Sequence, residues 1–263
     1  MQADPPRAEP TAVGSRTTAG VVVIGNEVLS AKVADANGPQ ILNSLANLGV
    51  RVGELAVVAD DVDRIASVVA DFSRRFSFVI TTGGVGPTHD DCTWKAVSQA
   101  FAAPMVFRAE LAEQLREFVG ADLTPEQQRL AHLPLDAQIV PVIGRWPLFR
   151  MRNVYVLPGV PALVAKNLKQ IEILCREQGV CGPTLATAYF TVDEWLAVAH
   201  IDAVVAAHSD VEIGSYPVFD APDYRLRLTF EHLDAQRVQA AVDAIVQAIG
   251  IAQWVRTQWG RSP

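Results

Sequence analysis

Residues 78–91 read Phe78-Val-Ile-Thr-Thr-Gly-Gly-Val-Gly-Pro-Thr-His-Asp-Asp91. The apolar, β-branched start predicts a buried strand, and its abrupt end at glycine predicts a turn into a helix over 93–101. Glycines let the main chain approach a ligand closely, and a helix N-terminus favours an anion. Two carboxylates there would repel a phosphate unless a metal ion lay between them. The segment therefore predicts a site for a nucleotide or phosphorylated cofactor, together with a metal.

The candidate ligand residues of this segment supply backbone N–H groups and one hydroxyl for phosphate oxygens. They are Gly83, Gly84, Gly86 and Thr88. Asp90 and Asp91 are the candidate catalytic carboxylates and metal ligands, of which one or the other would bind the metal. The alternative for Asp91 is a helix N-cap. His89 is interpreted either as an exposed loop residue or as a general acid or base.

Strands and helices alternate around this segment. The predicted strands cover 20–24, 50–58 and 78–82, and the predicted helices cover 34–48, 60–75 and 93–101. This order predicts an α/β domain with a parallel sheet covered by helices, in which ligands lie beyond the carboxyl ends of the strands. Asn26 and Glu27 follow the first strand and are therefore a candidate ligand residue and a third candidate catalytic carboxylate. The alternative for Glu27 is a solvated strand end.

Three more candidate ligand residues lie at the starts of helices. Asp35 and Asn37 either cap a helix or contact the ligand, and Gly159 forms a rigid Pro-Gly turn with ligand contact as a by-product. Before that turn we predict helices over 109–119 and 125–132, then strands over 138–143 and 153–157 around a turn at 145–147. A long helix over 162–176 follows it.

Composition and spacing divide the chain into four parts. We predict a disordered leader over 1–19, an α/β domain over 20–178, a small α+β subdomain over 184–250 and a loose tail over 251–263. The leader is rich in proline and alanine and lacks the apolar core of a secretory signal.

The net charge of −7 in 263 residues argues against a nucleic-acid binder, which usually shows a basic face. The three cysteines are odd in number and unevenly spaced, which fits a reducing cytoplasm. No apolar run approaches the roughly 20 residues that a membrane helix needs. We therefore expect a cytoplasmic protein that binds neither nucleic acid nor membrane. We also expect a homo-oligomer that binds a small nucleotide or phosphorylated cofactor.

Thr81–Asp91, together with Thr93, resembles the signature of the molybdopterin-binding (MoaB/Mog-like) superfamily. More narrowly, the chain resembles the competence/damage-inducible protein A (CinA) branch and the molybdopterin-binding domain of eukaryotic FAD synthase. Four other segments, from the first strand to the small subdomain, match that branch. They are Ile24-Gly-Asn-Glu-Val-Leu29, Asp35-Ala-Asn37, Leu157-Pro-Gly-Val-Pro161 and Gly214-Ser-Tyr-Pro217. The resemblance runs from about residue 20 to residue 249.

The resemblance implies a three-layer α/β/α molybdopterin-binding fold with a mostly parallel sheet, followed by a small KH-like α+β subdomain. It also implies hydrolysis of a pyrophosphate bond in FAD or ADP-ribose with a divalent metal, namely magnesium, manganese or cobalt, and in some members potassium. The wider superfamily instead binds or adenylylates molybdopterin in molybdenum cofactor biosynthesis. A third alternative, a catalytically inert nucleotide-binding module, is favoured by Asn26, which stands where the motif usually has Asp or Thr. FAD synthesis and nicotinamide-nucleotide deamidation are not expected, since the sequence holds no second catalytic domain.

Overall fold

The computed structural model describes residues 17–88, 90–140, 147–180 and 182–260. The chain divides into two compact units, Met1–Val180 and Cys181–Pro263, called the first and second unit. Residues 1–16 of the predicted leader lie outside the described residues. Thr18 and Ala19, which the prediction also assigned to the leader, belong to the first strand because both pair with the neighbouring strands.

The first unit alternates strands and helices as the sequence predicted. Its elements are β1 (Thr18–Ile24), α1 (Asn26–Leu29), α2 (Asn37–Asn47), β2 (Arg51–Val58), α3 (Val62–Arg75), β3 (Phe78–Thr82), α4 (Thr93–Phe101), β4 (Met105–Phe107), α5 (Ala109–Val119), a 3-10 helix (Gln127–Ala131), β5 (His132–Pro134), β6 (Gln138–Val140), β7 (Leu148–Met151), β8 (Val154–Leu157) and α6 (Pro161–Glu177).

A six-stranded sheet with the order β2-β1-β3-β8-β7-β6 forms the centre of this unit. The pairs β1–β2, β1–β3 and β3–β8 are parallel, and only β7 runs against its two neighbours, β8 and β6. Strands β4 and β5 form a separate antiparallel pair. The predicted mostly parallel sheet is therefore confirmed.

Helices cover both faces of the sheet because successive strand residues point to opposite sides. Val22 and Ile24 face a core built with α3, α4 and α5, whereas Ala19 and Val21 face a core built with α2 and α6. The three-layer α/β/α arrangement is confirmed. None of the described helices is both long enough and apolar enough to cross a bilayer.

Three local predictions for this unit are wrong. Helix α2 begins at Asn37 instead of residue 34, because the Asp35 side chain accepts the first N–H groups of the helix. The predicted helix over 125–132 is a short 3-10 helix that stops at Ala131, because His132 belongs to the β4–β5 pair. The strand β7 was not predicted. It is followed by a tight turn into β8, in which Arg152 has a φ of 53°. Residues 141–146, which include most of the predicted turn, lie outside the described residues.

The second unit is a small α+β unit, as predicted. Its elements are β9 (Thr184–Phe190), α7 (Glu194–Ala207), β10 (Glu212–Pro217), β11 (Leu226–His232), α8 (Ala235–Ile249) and β12 (Trp254–Trp259). The strands form an antiparallel sheet in the order β10-β11-β9-β12, and both helices pack with the apolar side chains of β9 and β11. The prediction of a loose tail over 251–263 is wrong for Trp254–Trp259, because β12 takes the open edge of β9.

Candidate functional site

The three predicted site segments meet at the carboxyl edge of the first unit's sheet. Because β1, β3 and β8 are adjacent parallel strands, the turns that follow them lie side by side. Gly83 donates its N–H to the carbonyl of Leu157 at 3.3 Å, and a Cβ placed on Gly159 would lie 3.5 Å from the Cα of Gly83. The segment of residues 83–91, called the glycine loop, therefore packs directly on the Pro-Gly turn.

The first two glycines of the glycine loop are required by geometry. Gly83 has a φ of 101°, and a side chain there would collide with the backbone carbonyl of Ile24. Gly84 has a φ of 63°, and a Cβ there would lie 2.5 Å from the Thr93 hydroxyl. That hydroxyl donates to the carbonyl of Gly83 at 2.7 Å, and the Thr93 N–H donates to Gly84 at 3.0 Å. The first residue of α4 thus holds the loop in place.

The glycine loop contains unpaired N–H groups. Among the described residues, the amides of Gly84, Val85 and Gly86 have no hydrogen-bond acceptor. Helix α4 begins just behind them, with Cys92 at its N-cap and no side chain capping its first N–H groups. A run of free N–H groups next to a helix N-terminus carries a partial positive charge. The arrangement favours an anion such as a phosphate.

Asp91 is fixed inside the loop instead of capping the helix. Its Oδ2 accepts the Thr88 N–H at 2.8 Å and also the Thr88 hydroxyl, while its own N–H donates to the Thr88 carbonyl. The helix-cap alternative for Asp91 is therefore wrong, because Cys92 is the N-cap of α4 and no side chain accepts from the first N–H groups of that helix. The hydrogen bond to Asp91 commits the Thr88 hydroxyl, which had been predicted to face a phosphate. Asp90 is exposed on the same loop, and His89 lies outside the described residues.

A further acid, which the sequence analysis treated only as a helix start, joins this edge. Asp60 follows β2, and its Oδ2 accepts the N–H of Asn26 at 2.8 Å, so the turns after β1 and β2 are tied together. Asp61 is the residue that caps α3, by accepting the Arg64 N–H at 2.8 Å. Exposed Glu27 folds back over Gly25, where an added Cβ would lie 2.5 Å from its Oε1.

The charges of three acids act on the thiol of Cys92. Burial raises the pKa of its thiol, and the negative charges of Asp60, Asp61 and Asp91 raise it further, against the opposite effect of Lys95. Within the described part of the chain, however, no three His, Cys, Asp or Glu side chains are grouped closely enough to hold a metal on their own. Magnesium commonly binds one or two carboxylates and takes its other ligands from water and substrate phosphates. The donor set at this edge fits a metal of that kind.

Asn37 connects the remaining parts of the site. Its Nδ2 donates to the Thr82 hydroxyl at 3.1 Å and to the Gly159 carbonyl at 2.7 Å, and Thr82 in turn donates to the Pro158 carbonyl at 2.8 Å. The Asn37 side chain is 9% exposed, and its Oδ1 has no hydrogen-bond partner in the described structure. Of the two candidates at this helix start, Asp35 caps the helix and Asn37 bridges the site.

The sequence analysis missed Thr82 and Asp60 as site residues. Thr82 is a polar residue at the end of a buried apolar strand, and Asp60 is one of two adjacent acids where a helix needs a single cap. Both signals were present in the sequence.

Comparison with known proteins finds relatives that match both units. A family model described as "Probable molybdopterin binding domain" matches residues 20–174, and one described as "FAD synthase, middle domain" matches residues 184–258. A "Probable FAD synthase" from Caenorhabditis elegans is 29% identical over 88% of this chain and 49% of its own length. A protein of Archaeoglobus fulgidus is 30% identical over 84% of this chain and 93% of its own length.

A "CinA-like protein" from Desulfosudis oleivorans is 29% identical over 93% of this chain and 60% of its own length. The chain spans about half the length of the probable FAD synthases that it matches. Among solved structures, the protein CinA from Thermoplasma acidophilum superposes with a TM-score of 0.56 at 27% identity. That match covers 60% of this chain and 97% of the other. The predicted resemblance to both the CinA branch and FAD synthase is confirmed.

Proposed function

Because the chain belongs to the family of probable molybdopterin-binding domains, we propose that it is a metal-dependent nucleotide pyrophosphatase acting on FAD or ADP-ribose. One observation carries this proposal: the unpaired N–H groups of Gly84–Gly86 adjoin the Asp91 carboxylate, so an anion cradle and an acid occupy one loop. The relatives named as probable FAD synthases, and the match of the second unit to the FAD synthase middle domain, support FAD as a substrate.

The glycine loop would bind the pyrophosphate. Its free N–H groups and the uncapped start of α4 can donate to phosphate oxygens without any side chain. The absence of side chains at Gly83 and Gly84 lets the loop pack closely against Ile24 and Thr93, and Thr93 keeps the loop in this shape. These contacts do not depend on the base or sugar, which fits a class of related dinucleotides.

Asp90 and Asp91 would hold the metal between themselves and the phosphates. Asp91 keeps its Oδ1 available, since its hydrogen bonds with Thr88 use Oδ2. Asp60 presents a further carboxylate at the same edge. A bound divalent metal would neutralise phosphate charge and lower the pKa of a coordinated water.

Hydrolysis would place a water oxygen on one phosphorus and break the bond from that phosphorus to the bridging oxygen. AMP would leave with FMN from FAD, or with ribose 5-phosphate from ADP-ribose. The water must lose a proton, and Glu27 is the exposed carboxylate at this edge that can accept it. Asn26 supplies its backbone N–H to Asp60, so its uncharged side chain leaves that connection intact.

The test is to incubate the purified protein with FAD or ADP-ribose and magnesium, manganese or cobalt, with and without potassium, and to measure AMP by chromatography. We expect AMP formation that stops on addition of EDTA. No AMP with any of these metals would refute the proposal, as would full activity of the double variant Asp90→Ala/Asp91→Ala.

Two other functions use the same cradle. The family description favours a molybdopterin-binding or adenylyl-transferring protein, and Asn26 favours an inert nucleotide-binding module. A fluorescent pterin that co-purifies without pyrophosphatase activity would support the first. Nucleotide binding without AMP formation would support the second. Light scattering on the same preparation tests the predicted homo-oligomer.

A further inference from the structure

A row of alternating aromatic and arginine side chains crosses the whole sheet of the second unit. Tyr216 of β10 is paired with Arg227 of β11, and Arg227 is paired with Tyr189 of β9. Tyr189 is paired in turn with Arg256 of β12. Paired residues of neighbouring strands share a face, so the four side chains lie on the face opposite the core.

In the half of this row formed by Tyr189 and Arg256, both side chains have partners. The guanidinium carbon of Arg256 lies 4.4 Å from the ring centre of Tyr189 and 5.3 Å from that of Tyr224. Arg256 also forms an ion pair with Asp223 at 2.5 Å. Tyr189 is only 5% exposed. The arginine charge is neutralised and the ring is covered, so this half stabilises the sheet and offers nothing to a ligand.

In the half formed by Tyr216 and Arg227, the arginine has no ion-pair partner among the described residues. The guanidinium carbon of Arg227 lies 4.8 Å from the ring centre of Tyr216, but no carboxylate of the described residues pairs with it. The Nε of Arg227 is buried and has no acceptor in the described structure. Tyr216 is 45% exposed, and its ring lies over Gly214, where an added Cβ would be 3.0 Å from Cε2. A half-exposed aromatic ring and a guanidinium that has no carboxylate partner among the described residues therefore lie side by side.

We propose that Tyr216 and Arg227 form a second binding site, which takes a mononucleotide. The heterocyclic ring stacks on the open face of Tyr216, and the phosphate accepts hydrogen bonds from the Arg227 guanidinium. An arginine fork matches the geometry of a phosphate, and stacking on an aromatic side chain tolerates any base.

A mononucleotide fits this site better than a polynucleotide. The platform consists of a single exposed ring, and the chain carries a net charge of −7, which opposes a long polyanion. The site uses neither the glycine loop nor its metal, so it goes beyond the proposed pyrophosphatase function.

The test is a titration of the whole protein with FMN, followed by flavin fluorescence, and with AMP, followed by calorimetry, both in EDTA. We expect Arg227→Ala and Tyr216→Ala each to weaken binding about tenfold or more, whereas Tyr216→Phe keeps the ring and the affinity. Arg227→Lys keeps the charge but loses the fork, and should resemble Arg227→Ala. Arg176→Ala, which removes an exposed charge from the first unit, is the control and should change nothing.

Three results would overturn the proposal. The first is equal affinity for FMN and AMP in the wild type, Arg227→Ala and Tyr216→Ala, with thermal unfolding confirming that all are folded. The second is no binding of either probe by the wild type at millimolar concentration. The third is an octauridylate that binds more than tenfold tighter than uridine monophosphate, which would indicate a nucleic-acid site. Because AMP release is not measured, none of these results bears on the pyrophosphatase proposal.

Discussion

The Asn37 side chain donates a hydrogen bond of 2.7 Å to the carbonyl of Gly159, 122 residues further along the chain. The same amide nitrogen donates to Thr82 at the end of β3. One side chain thereby ties the start of α2, the end of β3 and the Pro-Gly turn after β8. Asn37 is a positioning residue for the site, and the shape of the carboxyl edge depends on it.

Asn37→Ala should lower the free energy of unfolding by about 1–3 kcal/mol, because it removes a donor from two partly or fully buried acceptors. Urea denaturation monitored by circular dichroism measures this difference. Asn43→Ala is the matched control, since Asn43 is exposed on the same helix. Equal denaturation midpoints for the two variants would show that the bridge contributes nothing to stability.

Gly83→Ala should destabilise the protein by about 3 kcal/mol or more, because the new methyl group would meet the Ile24 carbonyl while φ stays at 101°. Gly120→Ala separates the steric clash from the strain of a positive φ. Gly120 also has a positive φ, 74°, but an added Cβ meets nothing within 4 Å, so a cost of only about 1 kcal/mol is expected. Thermal and urea unfolding of both variants checks the comparison. If Gly83→Ala is as stable as Gly120→Ala, the glycine loop does not approach the end of β1 closely.

Asp91→Asn distinguishes a chemical role of the carboxylate from its structural one. Asparagine keeps an oxygen that can accept from Thr88, so the loop should persist, whereas the charge that would bind a metal is lost. If the proposed pyrophosphatase activity is correct, AMP formation should fall about 100-fold or more while the unfolding midpoint barely changes. Thr88→Ala provides the reverse case, since it removes the hydroxyl partner and keeps the acid. Wild-type AMP formation by Asp91→Asn would exclude this carboxylate from the chemistry.

The arrangement of the first unit could be predicted from sequence because its signals are local and repeated. The buried strand before Gly83 and the helix after Cys92 each follow from adjacent residues. The meeting of the glycine loop with the turn at Gly159 follows from the parallel order of the strands, a general property of α/β sheets. The position of the glycine loop, Glu27 and Asn37 at one edge of the sheet can thus be predicted from the sequence.

Other features depend on contacts that a local pattern does not encode. Asp91 looks like a helix cap in sequence, but Thr88, three residues earlier, takes its carboxylate. Half of the six residues of strand β12 are polar or charged, and the segment becomes a strand because β9 offers an open edge. The role of Asp60 requires that the turns after β1 and β2 lie together. In each case the deciding partner is supplied by the three-dimensional structure.

In the second unit, Asp210 predicts a pH dependence of stability. Arg237 donates two hydrogen bonds to its carboxylate, at 2.7 and 2.5 Å, and they lower the pKa of Asp210 from 3.8 to about 2. A carboxylate whose pKa is lower in the folded state stabilises the fold above the unfolded pKa. That contribution is lost as the pH falls through the folded value.

Asp210→Asn should therefore lower the urea midpoint at pH 6, and the difference from the wild type should shrink as the pH falls from 4 toward 2. Asp220→Asn, at an exposed position outside this ion pair, is the control and should show no such trend. A difference between Asp210→Asn and the wild type that stays constant over this range would mean that the ion pair with Arg237 does not set the pH dependence.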